Sequence, residues 1–282
     1  MRTAVHRPKR RSAFTLVELL VVIGIIALLM SILLPTLGRV REQANMIKCG
    51  SNLRQFGQVL HLYANQNNGR VPLGYNGASA RHGGYMVAQD GEWRVLGTLY
   101  ESRLLQDGIE GFYCPSKLDT RWQYDSPDNP WPPPSPAPRL NRLGMTVRPA
   151  VQFSTAAGKG MVPVSSTLDK EAYRGKFPQL SQMRGQAIAA EMFGEPVNAG
   201  IAVNPTVLPH NNMLNVAFAD GSVRAIDTRV LNKNNNSQSI KSLLKQLADA
   251  GAGYTDPTIQ KQVYLDETVM PNTGIWAIFD QQ

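Results

Sequence analysis

The chain has 282 residues, an apolar fraction of 43% and a formal charge of +8. That apolar share is enough for a buried core and excludes global disorder. Five of the positive residues (Arg2, Arg7, Lys9, Arg10, Arg11) crowd into the first 13, where no acid occurs, and without them the charge is +3, an ordinary surface that gives no case for nucleic acid as a partner.

The basic segment 1–13 stands directly before an apolar run from Phe14 to Leu34, broken only by Thr15, Glu18, Gly24 and Ser31. As a helix these residues rise about 1.5 Å each, enough to cross a bilayer core. The basic flank places the N terminus on the cytoplasmic side. The run is longer than the apolar core of a cleavable secretory signal, and Pro35 and charged residues follow it, so it predicts a retained single-pass anchor. Glu18 lies five residues into the run. A carboxylate at mid-bilayer costs about 2–3 kcal/mol or more, so its presence calls for a partner or for hydration near the interface.

Beyond the anchor, Met46, Cys49, Leu53, Phe56, Leu60 and Tyr63 recur at alternating spacings of three and four, which draws one apolar stripe on a helix. Asn67, Asn68, Gly69 and Pro72 follow, a helix-stop pattern. One long helix from Phe14 to about Gln66 is predicted, interrupted near Pro35. The expected organisation is a leader at 1–13, a transmembrane helix at 14–34, an amphipathic extension at 35–66 and a head at 67–282.

In the head, short apolar segments alternate with Gly, Pro and Asn clusters, the pattern of strands and loops. Asp220-Gly221 between the alternating runs Met213–Ala219 and Ser222–Ile226 is a strong hairpin signal. Seven prolines between Pro127 and Pro138 predict an extended loop. Ser237–Ala250 reads as a short amphipathic helix closed by Gly251. The fold class that emerges is α+β: a long N-terminal helix packed on a mostly antiparallel β-sheet head.

Cys49 and Cys114 are the only cysteines. In an exported, oxidising setting they read as one disulfide tying the helix to the head, with two buried free thiols as the alternative. His6, His61, His82 and His210 show no zinc spacing, and two cysteines alone make no metal site. His210 with Asp220 suggests an acid–base pair less well than a histidine bracing a hairpin whose turn Asp220 forms. Asp90-Gly91, Asp107-Gly108 and Asp220-Gly221 offer loop oxygens to calcium, but no dense ligand run like an EF-hand loop occurs. Ala156–Gly160 lacks the glycine spacing of a phosphate-binding loop. No catalytic constellation is legible, so neither an enzyme nor a resident cofactor is expected.

The stretch Arg11-Ser12-Ala13-Phe14-Thr15-Leu16-Val17-Glu18 resembles the start of type IV prepilins and type II secretion pseudopilins. The resemblance implies cleavage by a prepilin peptidase between Ala13 and Phe14, methylation of the Phe14 amino group, and a helix bend at Pro35. It also implies assembly with other pilin-like subunits and an inner-membrane machinery, with the Glu18 carboxylate meeting a neighbour's Phe14 amine. The residue before the cut is usually Gly in that family and is Ala13 here. His210, nine residues, then Asp220-Gly221 is similar to the motif naming an "H-X9-DG" prepilin-type group often catalogued as a domain of unknown function. Cys49-Gly50-Ser51-Asn52-Leu53-Arg54-Gln55 and Tyr113-Cys114-Pro115-Ser116 resemble recurring phrases of that group. Two functions are thereby expected: a structural subunit of a pseudopilus or pilus-like filament, or a membrane-tethered binding protein for an extracellular polymer. Either places the head in the periplasm or outside the cell.

Overall fold

A computed structural model describes residues 16–72, 84–89, 92–93, 96–105, 108–116, 120–133, 141–148, 179–192, 209–230, 239–240, 243 and 274–282. The chain divides into two compact units, 1–44 and 45–282. The architecture is α+β and pilin-like, with a long apolar N-terminal helix and antiparallel sheets in the head.

Helix α1 runs from Leu16 to Gln66. In the first unit every described residue through Arg41 is exposed, including the apolar side chains from Leu16 to Leu34. Such a surface, on a helix long and apolar enough to span a bilayer, suits lipid rather than water. The helix is continuous through Pro35, so the interruption expected there does not occur. A proline removes only one backbone donor. Neighbouring hydroxyls occupy nearby carbonyls: Ser31 Oγ donates to Leu28 O (2.7 Å) and Thr36 Oγ1 to Leu33 O (2.8 Å). The helix ends as its sequence dictates, with Asn68 and Gly69 left-handed (φ 54° and 79°) and the Gly69 amide donating to Ala64 O at 2.8 Å.

In the second unit, β1 (Met86–Gln89), β2 (Glu92–Trp93) and β3 (Asn141–Arg142) form a small antiparallel sheet in the order β2-β1-β3. A second sheet carries β4 (Met145–Val147), β5 (Ala187–Glu191), β6 (Met213–Phe218) and β7 (Val223–Asp227) in that order, all antiparallel. Short helices α2 (Gly97–Glu101) and α3 (Gly274–Asp280) complete the described elements, with 3-10 turns such as Ile109–Phe112 and Pro209–Asn212.

Strand β6 shows why the four-stranded sheet is buried on both faces. Ala217 joins the cluster built by Leu53, Phe56, Leu60 and Tyr63 of α1 with Val87, Leu99, Met145 and Ile188. Leu214, Val216 and Phe218, pointing the other way, join Ile226, Ile240, Leu243 and Trp276, Ile278 and Phe279 of α3. Period-two alternation thus serves two apolar layers at once. Asp280 pins α3 to the sheet, accepting from Arg148 Nη1 at 2.8 Å and from the Ala187 amide at 2.8 Å.

The predicted hairpin is present, with Met213 opposite Asp227 and Ala217 opposite Val223. Gly221 takes φ 84°, and Asp220 Oδ1 accepts the Ser222 amide at 2.9 Å, the turn chemistry those residues favour. Of the amphipathic helix expected at Ser237–Ala250, Ile240 and Leu243 are buried, and most of the segment lies outside the described residues. So do the extended loop beyond Pro133, Asp90-Gly91, Asp107 and Ala156–Gly160.

Candidate functional site

The C-terminal part of α1 meets three other segments of the head. The helical stripe turns Cys49 toward the sheet, and the side chain is fully buried. Close passage is possible because Gly50 faces Asn215: a Cβ built on Gly50 would lie 3.1 Å from Asn215 Oδ1.

Cys114 comes from the Tyr113–Ser116 segment. The residues before it form the 3-10 turn Ile109–Phe112, opened by Gly108 at φ 70°. Glycines at 108 and 111 punctuate the run too closely for a strand. The segment is held on both sides: Tyr113 Oη donates to Arg142 O at 2.6 Å, and Asn45 Nδ2 donates to Ser116 Oγ at 3.1 Å. Gly144 lets the β3–β4 link press onto it, since a Cβ there would stand 2.6 Å from Phe112 O and 2.7 Å from Tyr113 Cα.

Glu191 ends β5 and is fully buried. Its Oε2 accepts the Asn215 amide at 2.9 Å, and its Oε1 accepts Asn215 Nδ2 at 3.0 Å. Asn215 Nδ2 also donates to Met46 O at 3.0 Å, tying β6 to α1. His210 sits in the turn before β6 with φ 58°, a left-handed conformation shared by Asn212 at 81°. Non-glycine residues held there cluster at functional sites.

These side chains meet. His210 Nε2 lies 3.1 Å from Glu191 Oε1 and 3.5 Å from Cys114 Sγ. One ligand-capable atom from each of Cys49, Cys114, Glu191 and His210 falls within 4.8 Å of all the others, and all four residues are buried. The expected Cys49–Cys114 bridge is not formed here. The thiols are neighbours, but both are free, and each has a polar partner in the same pocket.

The electrostatics is that of a proton-sharing cluster. The hydrogen bond with Cys114, burial and the negative charges of Cys114 and Glu191 push the Cys49 thiol strongly up. Cys114 is pulled down to about 6, by the hydrogen bond from Cys49 and then by His210, against the effect of burial. Burial alone would lower His210, but the Cys114 and Glu191 contacts outweigh it and hold the imidazole at about 10. Cys49 is thus pushed toward the thiol, Cys114 toward the thiolate and His210 toward the imidazolium, each by its contacts inside the cluster.

His210 lies at the open end of the hairpin, just before β6. Asp220 is exposed at the far end of β6, about 20 Å away along a six-residue strand at 3.3 Å per residue. The two ends of the H-X9-DG spacing thus do different work, one in the buried cluster and one in the turn. Glu191 and Asn215 escaped the sequence reading. The available signal was a lone carboxylate closing the apolar run Ala187-Ile188-Ala189-Ala190.

At the other end of the chain, Glu18 is exposed in the first turn of α1. Ala13 and Phe14 lie outside the described residues. Residues 8–34 match the family model described as a prokaryotic N-terminal methylation motif. The chain carries a prepilin-type N terminus. That motif is a substrate signature for prepilin peptidase and marks a pilin-like protein with a membrane-capable N-terminal helix. No curated protein and no solved structure matches the chain.

Proposed function

We propose that the chain is a structural subunit of a type II secretion pseudopilus or a type IV pilus-like filament, without enzymatic activity of its own. The observation that carries the reading is the methylation motif over residues 8–34. It overlaps the stretch Leu16–Leu34 of α1, whose apolar side chains are all exposed. Prepilin peptidase cuts between Ala13 and Phe14 on the cytoplasmic side and methylates the new Phe14 amine. The helix then holds the subunit in the inner membrane, with the head periplasmic or extracellular. In the filament, Glu18 of one subunit neutralises the Phe14 amine of its neighbour. Either charge alone in lipid is costly, and pairing removes both costs. The H-X9-DG group is the narrower placement we favour, on His210, Asp220 and Gly221. The deciding experiment is intact-mass and N-terminal analysis of protein recovered from its own membranes. A mature chain starting at methylated Phe14 supports the reading; a chain starting at Met1, or one cut beyond Leu34, overturns it.

A further inference from the structure

We propose that Cys49, Cys114, Glu191 and His210 form a zinc(II) site that staples the C-terminal part of α1 to the sheet of the head. The inference stands on the buried cluster and does not depend on the filament reading.

The donor set has the right chemistry. Zinc is held by thiolate sulfur, imidazole nitrogen and carboxylate oxygen, four at a time and tetrahedrally in structural sites. Bonds of about 2.0–2.3 Å to a central ion place tetrahedral ligands about 3.3–3.8 Å apart. The sulfur–nitrogen separation of 3.5 Å between Cys114 and His210 and the nitrogen–oxygen separation of 3.1 Å between His210 and Glu191 are already near those edges. The remaining pairs all lie within 4.8 Å.

The supporting groups are also in place. Ligating carboxylates in metal sites are themselves hydrogen-bonded, and Glu191 receives both the backbone and the side-chain amide of Asn215. The His210 turn is held at positive φ, which delivers Nε2 to the cluster at a conformational cost that a purely packing role would not demand. Four buried polar groups, three of them able to carry negative charge, are expensive together. A divalent cation compensates that charge where protons do so only in part. Binding displaces whatever protons the four ligand atoms hold, which leave to solvent, and no electron is transferred. A Cys49–Cys114 disulfide would use two of the four groups and leave only Glu191 and His210 as ligands.

The test uses the full chain, purified in detergent without chelator, and measures zinc content and cobalt(II) uptake. One zinc per chain, replaceable by cobalt with sulfur-to-cobalt charge-transfer absorption and tetrahedral ligand-field bands, is the expected result. Cys114→Ser and His210→Ala should lose the metal, while Asp220→Ala, altered at the far end of the hairpin, should keep it. Should those variants fail to fold, the cobalt spectrum of the unaltered chain decides alone. Reduced thiols that take up neither metal overturn the proposal. So does a Cys49–Cys114 disulfide found by peptide mapping of metal-replete protein. N-terminal analysis of the same sample tests the filament reading separately.

Discussion

Asn215 grips both oxygens of the Glu191 carboxylate, Oε2 through its backbone amide at 2.9 Å and Oε1 through its side-chain amide at 3.0 Å. The same side chain reaches Met46 O on α1. Asn215→Ala removes the side-chain donor from a fully buried acid, and a hydrogen bond to a charged group is worth about 1.5–3 kcal/mol. Chemical denaturation of the detergent-solubilised chain should show a loss of about 2 kcal/mol. Loss of a group that orients a metal ligand weakens affinity about 10–100-fold, which a competitive zinc titration reads directly.

Glu18→Val tests assembly. Glu18 is exposed and takes no part in the three apolar clusters described in the head, so helicity and membrane insertion should be unchanged. Crosslinking to other pilin-like subunits should fall sharply. Unchanged crosslinking would favour a tethered binding protein that uses the N terminus for export alone.

Gly144→Ala probes the scaffold behind Cys114. Its Cβ would stand 2.6 Å from Phe112 O and 2.7 Å from Tyr113 Cα, which are backbone atoms with no rotamer escape. Overpacking of this kind costs about 1–3 kcal/mol. A drop in melting temperature is expected, together with faster alkylation of Cys114 in metal-free protein as its segment shifts.

Asp280→Ala should be among the more damaging head substitutions. Arg148 is nearly fully buried, with 2% of its side chain exposed, and Asp280 is its carboxylate partner at 2.8 Å. Removing one member of a buried pair leaves an uncompensated charge, at a cost of about 3–5 kcal/mol. The loss should appear in equilibrium denaturation and should be partly recovered by also replacing Arg148 with Met.

The pH response of chelated protein follows from opposing titrations. His210 is raised from 6.5 to about 10, so its contribution is full below pH 6.5 and is lost as pH rises through 10. Cys114 is lowered from 9.0 to about 6, so its contribution is full above pH 9.0 and is lost as pH falls through 6. Between 6.5 and 9.0 the two slopes cancel, and the melting temperature should be nearly flat. His210→Gln leaves the Cys114 slope, whose largest cause is the hydrogen bond from Cys49, so stability should rise with rising pH. A flat profile in that variant would contradict the assigned protonation states.

Much of the fold was legible because its signals are local. The stripe from Cys49 to Tyr63 is a helical period, and five of its six members, Cys49 onward, are buried. Asp220-Gly221 encodes its own turn. Pro35 misled because a proline's local penalty does not fix whether a long helix continues through it. The buried cluster was hidden for a different reason. Metal patterns are recognised by close ligand spacing, whereas Cys49, Cys114, Glu191 and His210 are brought together by α1, the segment after Phe112 and the pairing of β5 with β6. Glu191, with no neighbouring ligand in sequence, looked like the polar end of an apolar strand.

That dispersal has a kinetic consequence. Contacts between residues distant in sequence close long loops, an entropic cost met before the contacts repay it, which makes such topologies slow to complete. The cluster draws on α1, on the turn after Phe112, on the end of β5 and on the turn before β6, so no half-built head can hold all four groups in place. Closure of this pocket therefore belongs to the last stage of folding, and protection of Cys49 from alkylation is a timer for the finished head. In a pulse-labelling experiment on nascent or refolding chains, α1 helicity should appear early and Cys49 protection late, with the interval set by the pairing of β5 with β6.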